Sequence, residues 1–435
     1  MKKALVVGGA RSGKYIALLL NNNNYQVTLT DKNPVEYKQE LEDKGITVID
    51  KGHPESLLKI KYDLVVKNPG IKYTTKFIQA LLALNYKIYS EVDVALTYAK
   101  NYKTLAITGT NGKTTTTTIL DLMLKREFKR AFVAGNIGIP VSEIVYKNGL
   151  EAAYLALELS SFQLDGIFDL KPHIANITNL QEDHLDYYKS VEDYYLSKQR
   201  IYQNQDQDDY LLVNIDDERI LKYLDKPKAR QITYSLNKPS DIIINDNKVY
   251  YENNLLFDIK KIKLVGKHNI YNGIVASLMA YLSGVKVSNI NAVMHSFKGV
   301  EHRIEFVNTI LDTSFYNDSK STNIESTIVA LEAFDKPVIL IAGGYDKNIA
   351  FDKLLDYKDK TKKVILFGET KEKLKKVFPK AYIVDNLQAA VNLAQKLSEK
   401  DDIVLFSPAC ASFDQFKDYE ERGNLFIQYV NNLSV

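Results

Sequence analysis

Cysteine occurs once in this sequence, at Cys410, which excludes an internal disulfide and any zinc cage built of cysteines. A lone thiol of this kind is expected to pack as a small side chain rather than to attack a substrate. An excess of either charge is also missing. The 57 Lys and Arg are nearly balanced by 54 Asp and Glu, so the formal net charge is only +3 and no nucleic-acid footprint is forecast. Long apolar runs are absent too: none approaches the roughly 18 residues of a membrane span. Met1-Lys2-Lys3 leads into a strand pattern, not into the apolar core of a secretion signal. The expectation is a cytoplasmic protein, a monomer, with no membrane or nucleic-acid partner. Its 435 residues, 45% of them hydrophobic, suffice for about three domains.

What the chain does have is a phosphate loop. Thr104-Leu105-Ala106-Ile107 reads as a buried parallel strand, Thr108-Gly109-Thr110-Asn111-Gly112 as a turn, and Thr114 to Leu124 as a helix. Backbone N–H groups at a helix start, with the macrodipole behind them, form an anion trap. Lys113 adds a point charge, Thr115 continues the loop into the helix, and the Thr114 hydroxyl can ligate Mg²⁺. A nucleoside triphosphate is the expected ligand. The loop is shorter than the standard G-x-x-x-x-G-K-[ST] spacing, with Ile107 where the first glycine would stand.

Upstream, a strand at residues 4–8, a glycine turn from Gly8 to Gly13, a helix at 14–20 and a strand at 25–30 ending in Asp31 open a doubly wound sheet. Ala10 replaces the second glycine of G-x-G-x-x-G, so the dinucleotide fingerprint is weak. Strand signals at 64–66 and 87–89 complete a first domain closing near residue 93. Downstream of the phosphate loop, the apolar stretch Tyr154-Leu155-Ala156-Leu157 delivers Glu158 to the strand edge where ligands of open α/β sheets sit, making it a Mg²⁺ ligand candidate. The strand Ile174 to Thr178 leads to His184. Lys198, taken alone, reads as a solvated helix lysine. Residues 231–265 alternate as an antiparallel extension, and a helix over 270–283 has Asn269 and Asn272 near its start. From Gly299 onward, strand signals at 304–307, 338–344, 364–368 and 403–408 describe another α/β unit.

The loop Thr108 to Thr114, the stretch Glu158-Leu159-Ser160-Ser161-Phe162-Gln163, Asn317-Asp318-Ser319-Lys320 with Thr322-Asn323, and Ser407 to Phe416 together give the chain a resemblance to the Mur ligases. The resemblance implies three α/β domains. These are a Rossmann-like UDP-binding domain (1–93), a central P-loop ATPase-type parallel sheet with a small antiparallel extension (94–298), and a C-terminal Rossmann-like domain that binds D-glutamate (299–435). It further implies an ATP-dependent acid–amino-acid ligase of peptidoglycan precursor synthesis. In that reaction UDP-MurNAc-L-alanine is phosphorylated to an acyl phosphate that D-glutamate attacks. The alternative is another Mur-type or a folylpolyglutamate-type ATP-dependent ligase.

By the same resemblance Gly109, Thr110, Asn111, Gly112, Lys113, Thr114, Thr115, Asn272, Arg303 and Asp318 would bind ATP. Thr114, Glu158 and His184 would hold two Mg²⁺ ions, and Lys113, Glu158, His184, Lys198 and Arg303 would serve catalysis, with Lys198 carbamylated. Arg11, Ser12, Asp31, Lys32 and Gly70 would take the uridine diphosphate, and Asn136, Ser160 and Gln163 the muramoyl part. Thr322, Lys347, Ser412, Phe413 and Tyr419 would take D-glutamate. Site residues on separate domains imply that the domains close for catalysis and exclude water.

Overall fold

The computed structural model describes residues 1–183, 187–346 and 350–433; His184 and Lys347 therefore lie outside the described residues. The chain forms two compact units, one of Met1–Ile259 with Tyr271–Val293, the other of Lys260–Ile270 with Met294–Val435.

The first unit begins with β1 (Lys2–Val7), β2 (Tyr25–Thr30), β3 (Thr47–Ile49), β4 (Leu64–Lys67) and β5 (Ile88–Ser90), hydrogen-bonded in the order β3-β2-β1-β4-β5 and parallel throughout. Helix α1 (Arg11–Asn22) follows β1 directly. It packs so closely that a Cβ on Gly13 would sit 1.8 Å from the Gly8 carbonyl oxygen, so glycine at 13 is a steric requirement of the strand-to-helix turn. Helix α2 (Glu91–Tyr98) leads onward, and its buried Asp93 accepts the backbone N–H groups of Phe168, Asp169 and Leu170.

A second parallel sheet contains β6 (Tyr102–Thr108), β7 (Ala131–Gly135), β8 (Ala153–Glu158), β9 (Ile174–Ile177), β10 (Tyr210–Asn214) and β11 (Arg230–Tyr234), in the order β11-β10-β9-β6-β8-β7. Helices α3 (Lys113–Glu127), α4 (Val141–Asn148), α5 (Ser161–Leu164), α6 (Val191–Gln199) and α7 (Lys267–Leu282) accompany it. Leu5, Ala106 and Leu155 are fully buried in their strands, as expected of sheets covered on both faces. One apolar cluster runs from Ala4 and Leu18 through Val145 and Leu157 to Val213, so the two sheets share a core. The antiparallel extension is narrower than the alternation suggests. β12 (Ile242–Asn245), β13 (Lys248–Tyr251) and β14 (Asn254–Asp258) form it, whereas β11 pairs in parallel with β10 and belongs to the large sheet.

The second unit is built on β15 (Glu305–Ile310), β16 (Thr313–Asn317), β17 (Val338–Gly343), β18 (Thr361–Phe367), β19 (Tyr382–Ile383) and β20 (Ile403–Phe406), ordered β15-β16-β20-β17-β18-β19. Only the β15–β16 hairpin is antiparallel. Apolar clusters line both faces of the sheet, with α8 (Ile324–Glu332) and α9 (Tyr419–Asn431) on opposite sides. Among the described residues no helix is long and apolar enough to cross a membrane.

Candidate active site

The phosphate loop leaves the middle of the large sheet between β6 and α3. Gly109 (φ +139°) and Gly112 (φ +83°) occupy backbone conformations that side chains rarely adopt. A Cβ at 109 would lie 1.9 Å from Thr178 Oγ1 and one at 112 would lie 2.4 Å from Asn272 Oδ1, so the loop is wedged between β9 and α7. Asn272 also accepts from the Thr116 hydroxyl at 3.1 Å. Thr178 Oγ1 donates to the Asn111 carbonyl at 2.6 Å, while the Asn111 side chain donates to Gln181. Thr114 and Thr115 are half-buried in the first turn of α3. Lys113 folds back over the loop, its Nζ donating to the carbonyls of Gly109 and Thr110, both at 2.9 Å.

Register sets the carboxylate beside this loop. Glu158, the last residue of β8, pairs with Ile107 of β6, and Leu159 N–H donates to the Ile107 carbonyl at 2.9 Å. Its side chain is completely buried. Oε1 accepts from Asn136 Nδ2 at 2.8 Å; Oε2, also inaccessible, has no partner among the described residues. A buried carboxylate oxygen without a donor is costly unless something cationic meets it. Immediately after Glu158, Ser160 and Gln163 form a capping box at the start of α5: Gln163 N–H donates to Ser160 Oγ, and Ser160 N–H to Gln163 Oε1.

Lys198 departs from its sequence-only reading as a solvated lysine. It is 1% exposed, its Nζ donates to the Gly109 carbonyl at 3.0 Å, and it lies 4.4 Å from the centre of the Tyr194 ring. Burial first, and the charge of Lys113 second, push its pKa down to about 7, although Asp183 and Asp165 oppose them. The helix pattern around it could not reveal this, because α6 has almost no amphipathic contrast to say which face is buried.

A separate cavity of about 910 Å³ opens at the C-terminal ends of the first sheet, lined among others by Asp31, Lys32, Asn68 and Gly70. Asp31 accepts the N–H groups of Gly9 at 2.7 Å and Asn33 at 2.8 Å. Ser12 Oγ accepts from Asn68 Nδ2 at 2.8 Å, which ties α1 to the Gly70 turn. Arg11 does not line the cavity: its guanidinium makes a two-pronged pair with Glu143 of α4, at 2.6 and 3.0 Å. Glu143 stands 132 residues away, a partnership that no local pattern could announce.

In the second unit Asp318 is buried at the tip of β16. Its Oδ2 accepts from Ser407 Oγ at 2.6 Å and Oδ1 from Ile304 N–H at 3.2 Å, and burial raises its pKa to about 6. Arg303 lies exposed between His302 (φ +60°) and Ile304 (φ +44°), and its charge acts on Asp318. A left-handed β-branched residue is strained, and such strain gathers at working sites. Asn269 donates to the Val265 carbonyl at 2.6 Å. Thr322 closes a turn onto the Lys320 carbonyl, Ser412 is buried, and Phe413 is 65% exposed with its ring edge-on to Tyr345. The Tyr419 carbonyl accepts from Ser319 Oγ. Cys410 is buried against Thr370 with its thiol raised to about 11, which suits packing rather than attack.

The sequence did not mark Arg422. Fully buried on α9, it donates to Ser319 Oγ and O and to the carbonyls of Cys410 and Ala411, so it clamps the Asp318 turn to the Ser412 loop.

Two family models match the chain: the Mur ligase middle domain over residues 107–280, and the Mur ligase glutamate ligase domain over residues 302–410. The chain is 41% identical to the UDP-N-acetylmuramoylalanine–D-glutamate ligase of Geobacillus sp. (strain WCH70), covering 99% of this chain and 98% of that one. It is 39% identical to the enzyme of the same name from Bacillus subtilis (strain 168), over 99% and 97%. Among solved structures, a MurF ligase from Thermotoga maritima in complex with ADP shares the fold with a TM-score of 0.57 at 14% identity, over 96% of this chain and 99% of that one. The UDP-N-acetylmuramate-alanine ligase from the same organism does so with a TM-score of 0.54 at 19% identity, over 99% of each chain. With both family models spanning most of the sequence and relatives near 40% identity along its whole length, the chain belongs to the Mur ligase family.

Proposed function

We propose that this chain is an ATP-dependent ligase that joins D-glutamate to UDP-N-acetylmuramoyl-L-alanine through an acyl phosphate, in the cytoplasm, as a monomer, during peptidoglycan precursor synthesis. The observation that carries the reading is the strand register that sets Glu158 opposite Ile107, where the phosphate loop begins, with an Oε2 that has no donor among the described residues. The full-length likeness to relatives named for this ligation supports it.

The donor set fits Mg²⁺: the free oxygen of Glu158 and the Thr114 hydroxyl are hard ligands beside the loop, and His184 is assigned to a second ion. When bound, such ions offset the negative charge of the phosphoryl oxygens. Asn136 holds the Glu158 carboxylate by its other oxygen and so fixes which oxygen remains available. Lys113, already curled over the loop, would turn outward to the β and γ phosphates, while Gly109, Thr110, Asn111, Gly112, Thr115 and Asn272 shape the cradle. In the reaction the bond from the γ phosphorus to its bridging oxygen breaks and a new one forms to the alanyl carboxylate. The amine of D-glutamate then displaces phosphate and loses a proton. No redox partner is needed.

Lys198 is assigned as a carbamate. Its low pKa leaves a substantial neutral amine fraction at neutral pH, the form that adds to CO₂, and the product is an anion suited to a metal site. Asp31, Lys32, Gly70 and Ser12 are assigned to the uridine diphosphate in the first-sheet cavity, with Arg11 acting from its pair with Glu143. Asn136, Ser160 and Gln163 are assigned to the muramoyl part, and Thr322, Lys347, Ser412, Phe413 and Tyr419 to D-glutamate. Arg303 and Asp318 are assigned to the nucleotide. Domains at 1–93, 94–298 and 299–435 follow from this division of roles.

The test is phosphate release with ATP and UDP-N-acetylmuramoyl-L-alanine, comparing D-glutamate with L-glutamate, L-lysine and meso-diaminopimelate. Release with D-glutamate alone is expected. Release driven by another amino acid would move the chain to a different ligation step.

A further inference from the structure

The first-sheet cavity contains a histidine to which no motif draws attention. His53 lies just beyond β3 and lines the cavity together with Asp31, Lys32, Ile71 and Phe77. Its ring is held from two directions. Phe77 stacks on it at 4.7 Å between centroids and 15° between planes, and Nδ1 lies 2.9 Å from Thr30 Oγ1.

The hydrogen bonding around Thr30 fixes the tautomer. A threonine hydroxyl carries one proton, and Thr30 Oγ1 also lies 3.2 Å from the Gly52 carbonyl oxygen, which can only accept. Both contacts are satisfied together when the hydroxyl donates to Gly52 and His53 Nδ1–H donates to the hydroxyl. The proton is then on Nδ1, and Nε2 keeps its lone pair. Nε2 has no protein partner among the described residues. Burial lowers the pKa of the ring; Lys32 acts in the same sense and Asp31 against it, so the neutral form that this tautomer requires prevails at neutral pH.

The result is a fixed, unprotonated acceptor in the wall of a cavity assigned to a nucleoside diphosphate. Uracil offers a donor at N3 between two carbonyls, whereas cytosine has a lone pair at N3. We propose that His53 is a base-selecting residue whose Nε2 accepts the N3–H of the uracil, with Phe77 holding the imidazole plane. The proposal rests on the uridine-diphosphate reading of this cavity. It explains how a loop outside every recognised motif can favour uracil over cytosine.

Calorimetric titration of the full chain with UDP, CDP and 3-methyluridine diphosphate tests it. The wild type should bind UDP at least roughly tenfold more tightly than either analogue, a difference of about 1.4 kcal/mol. His53→Phe keeps a ring against Phe77 but removes the acceptor. In that variant UDP affinity should fall to within about threefold of both analogues, with ADP binding and Tm unchanged. Because the 3-methyl analogue probes the wild type itself, the comparison stands even should the variant fold poorly. UDP binding without discrimination by the wild type, or discrimination that survives in His53→Phe, would overturn the assignment to His53. No UDP binding by the wild type would overturn the uridine-diphosphate reading and the proposal with it.

Discussion

Lys113 and Lys198 donate to one and the same acceptor, the carbonyl oxygen of Gly109, at 2.9 and 3.0 Å. Two ammonium groups drawn to one oxygen repel each other, and the buried one yields: Lys198 is pushed down to about 7, by burial first and by Lys113 second. The arrangement leaves Lys198 partly neutral at neutral pH.

Lys198→Ala is expected to lower turnover by at least about a hundredfold. Intact-protein mass spectrometry in bicarbonate buffer is expected to find the mass of one CO₂ on the wild type alone. Stability carries a second signature. The folded pKa lies below the unfolded value, so the unfolded chain binds more protons between about pH 7 and about pH 10.5, and this residue makes wild-type stability rise with pH across that window. Lys198→Met should flatten the rise in Tm. An unmodified, dispensable Lys198 would contradict the carbamate.

Glu158→Gln keeps the shape of the side chain but replaces the carboxyl group whose Oε2 has no donor among the described residues. In thermal-shift measurements the wild type is expected to gain Tm with ATP and Mg²⁺ together beyond ATP alone. The variant should lose that increment, along with about a hundredfold or more of its turnover. Retention of the Mg²⁺ increment would remove Glu158 from the metal site.

Asp318 predicts an opposite pH slope. Burial lifts its folded pKa to about 6 from an ordinary value of 3.8. Its contribution to stability is therefore complete below about pH 4 and lost as the pH rises through about 6. Asp318→Asn should flatten that decline in Tm-against-pH curves, and a parallel decline in both proteins would assign the slope elsewhere.

Arg422 is buried without a carboxylate hydrogen-bonded to it among the described residues, and its donors go to Ser319, Cys410 and Ala411. Arg422→Met should cost about 3 kcal/mol or more in denaturant unfolding, because several buried carbonyls lose their donors at once. In the folded fraction the KM for D-glutamate should rise while the KM for UDP-N-acetylmuramoyl-L-alanine stays constant. Equal changes in both would mark Arg422 as purely structural.

The parts of the site legible in the sequence are those made by neighbours in the chain. The phosphate loop needs only β6, its glycines and the start of α3, all within the stretch Tyr102–Glu127, and Glu158 announces itself as a charge ending an apolar strand. What escaped the sequence depends on distant partners. Arg422 sits on a helix with acidic residues in its first turn and looks solvated until Ser319, 103 residues away, is brought against it. His53, in a loop, acquires its fixed tautomer from Thr30 at the end of β2, and Arg11 meets Glu143 from another sheet's helix. The parallel pairing of β11 with β10 was hidden for the same reason, since a five-residue strand does not encode the direction of its neighbour.

In the proposed reaction ATP is spent on making an acyl phosphate from the alanyl carboxylate. This step is tested most directly by labelling that carboxylate with heavy oxygen and following the label through one round of ligation with D-glutamate. One labelled oxygen is expected in the phosphate released and none in the ADP. Phosphate formed without label would contradict it.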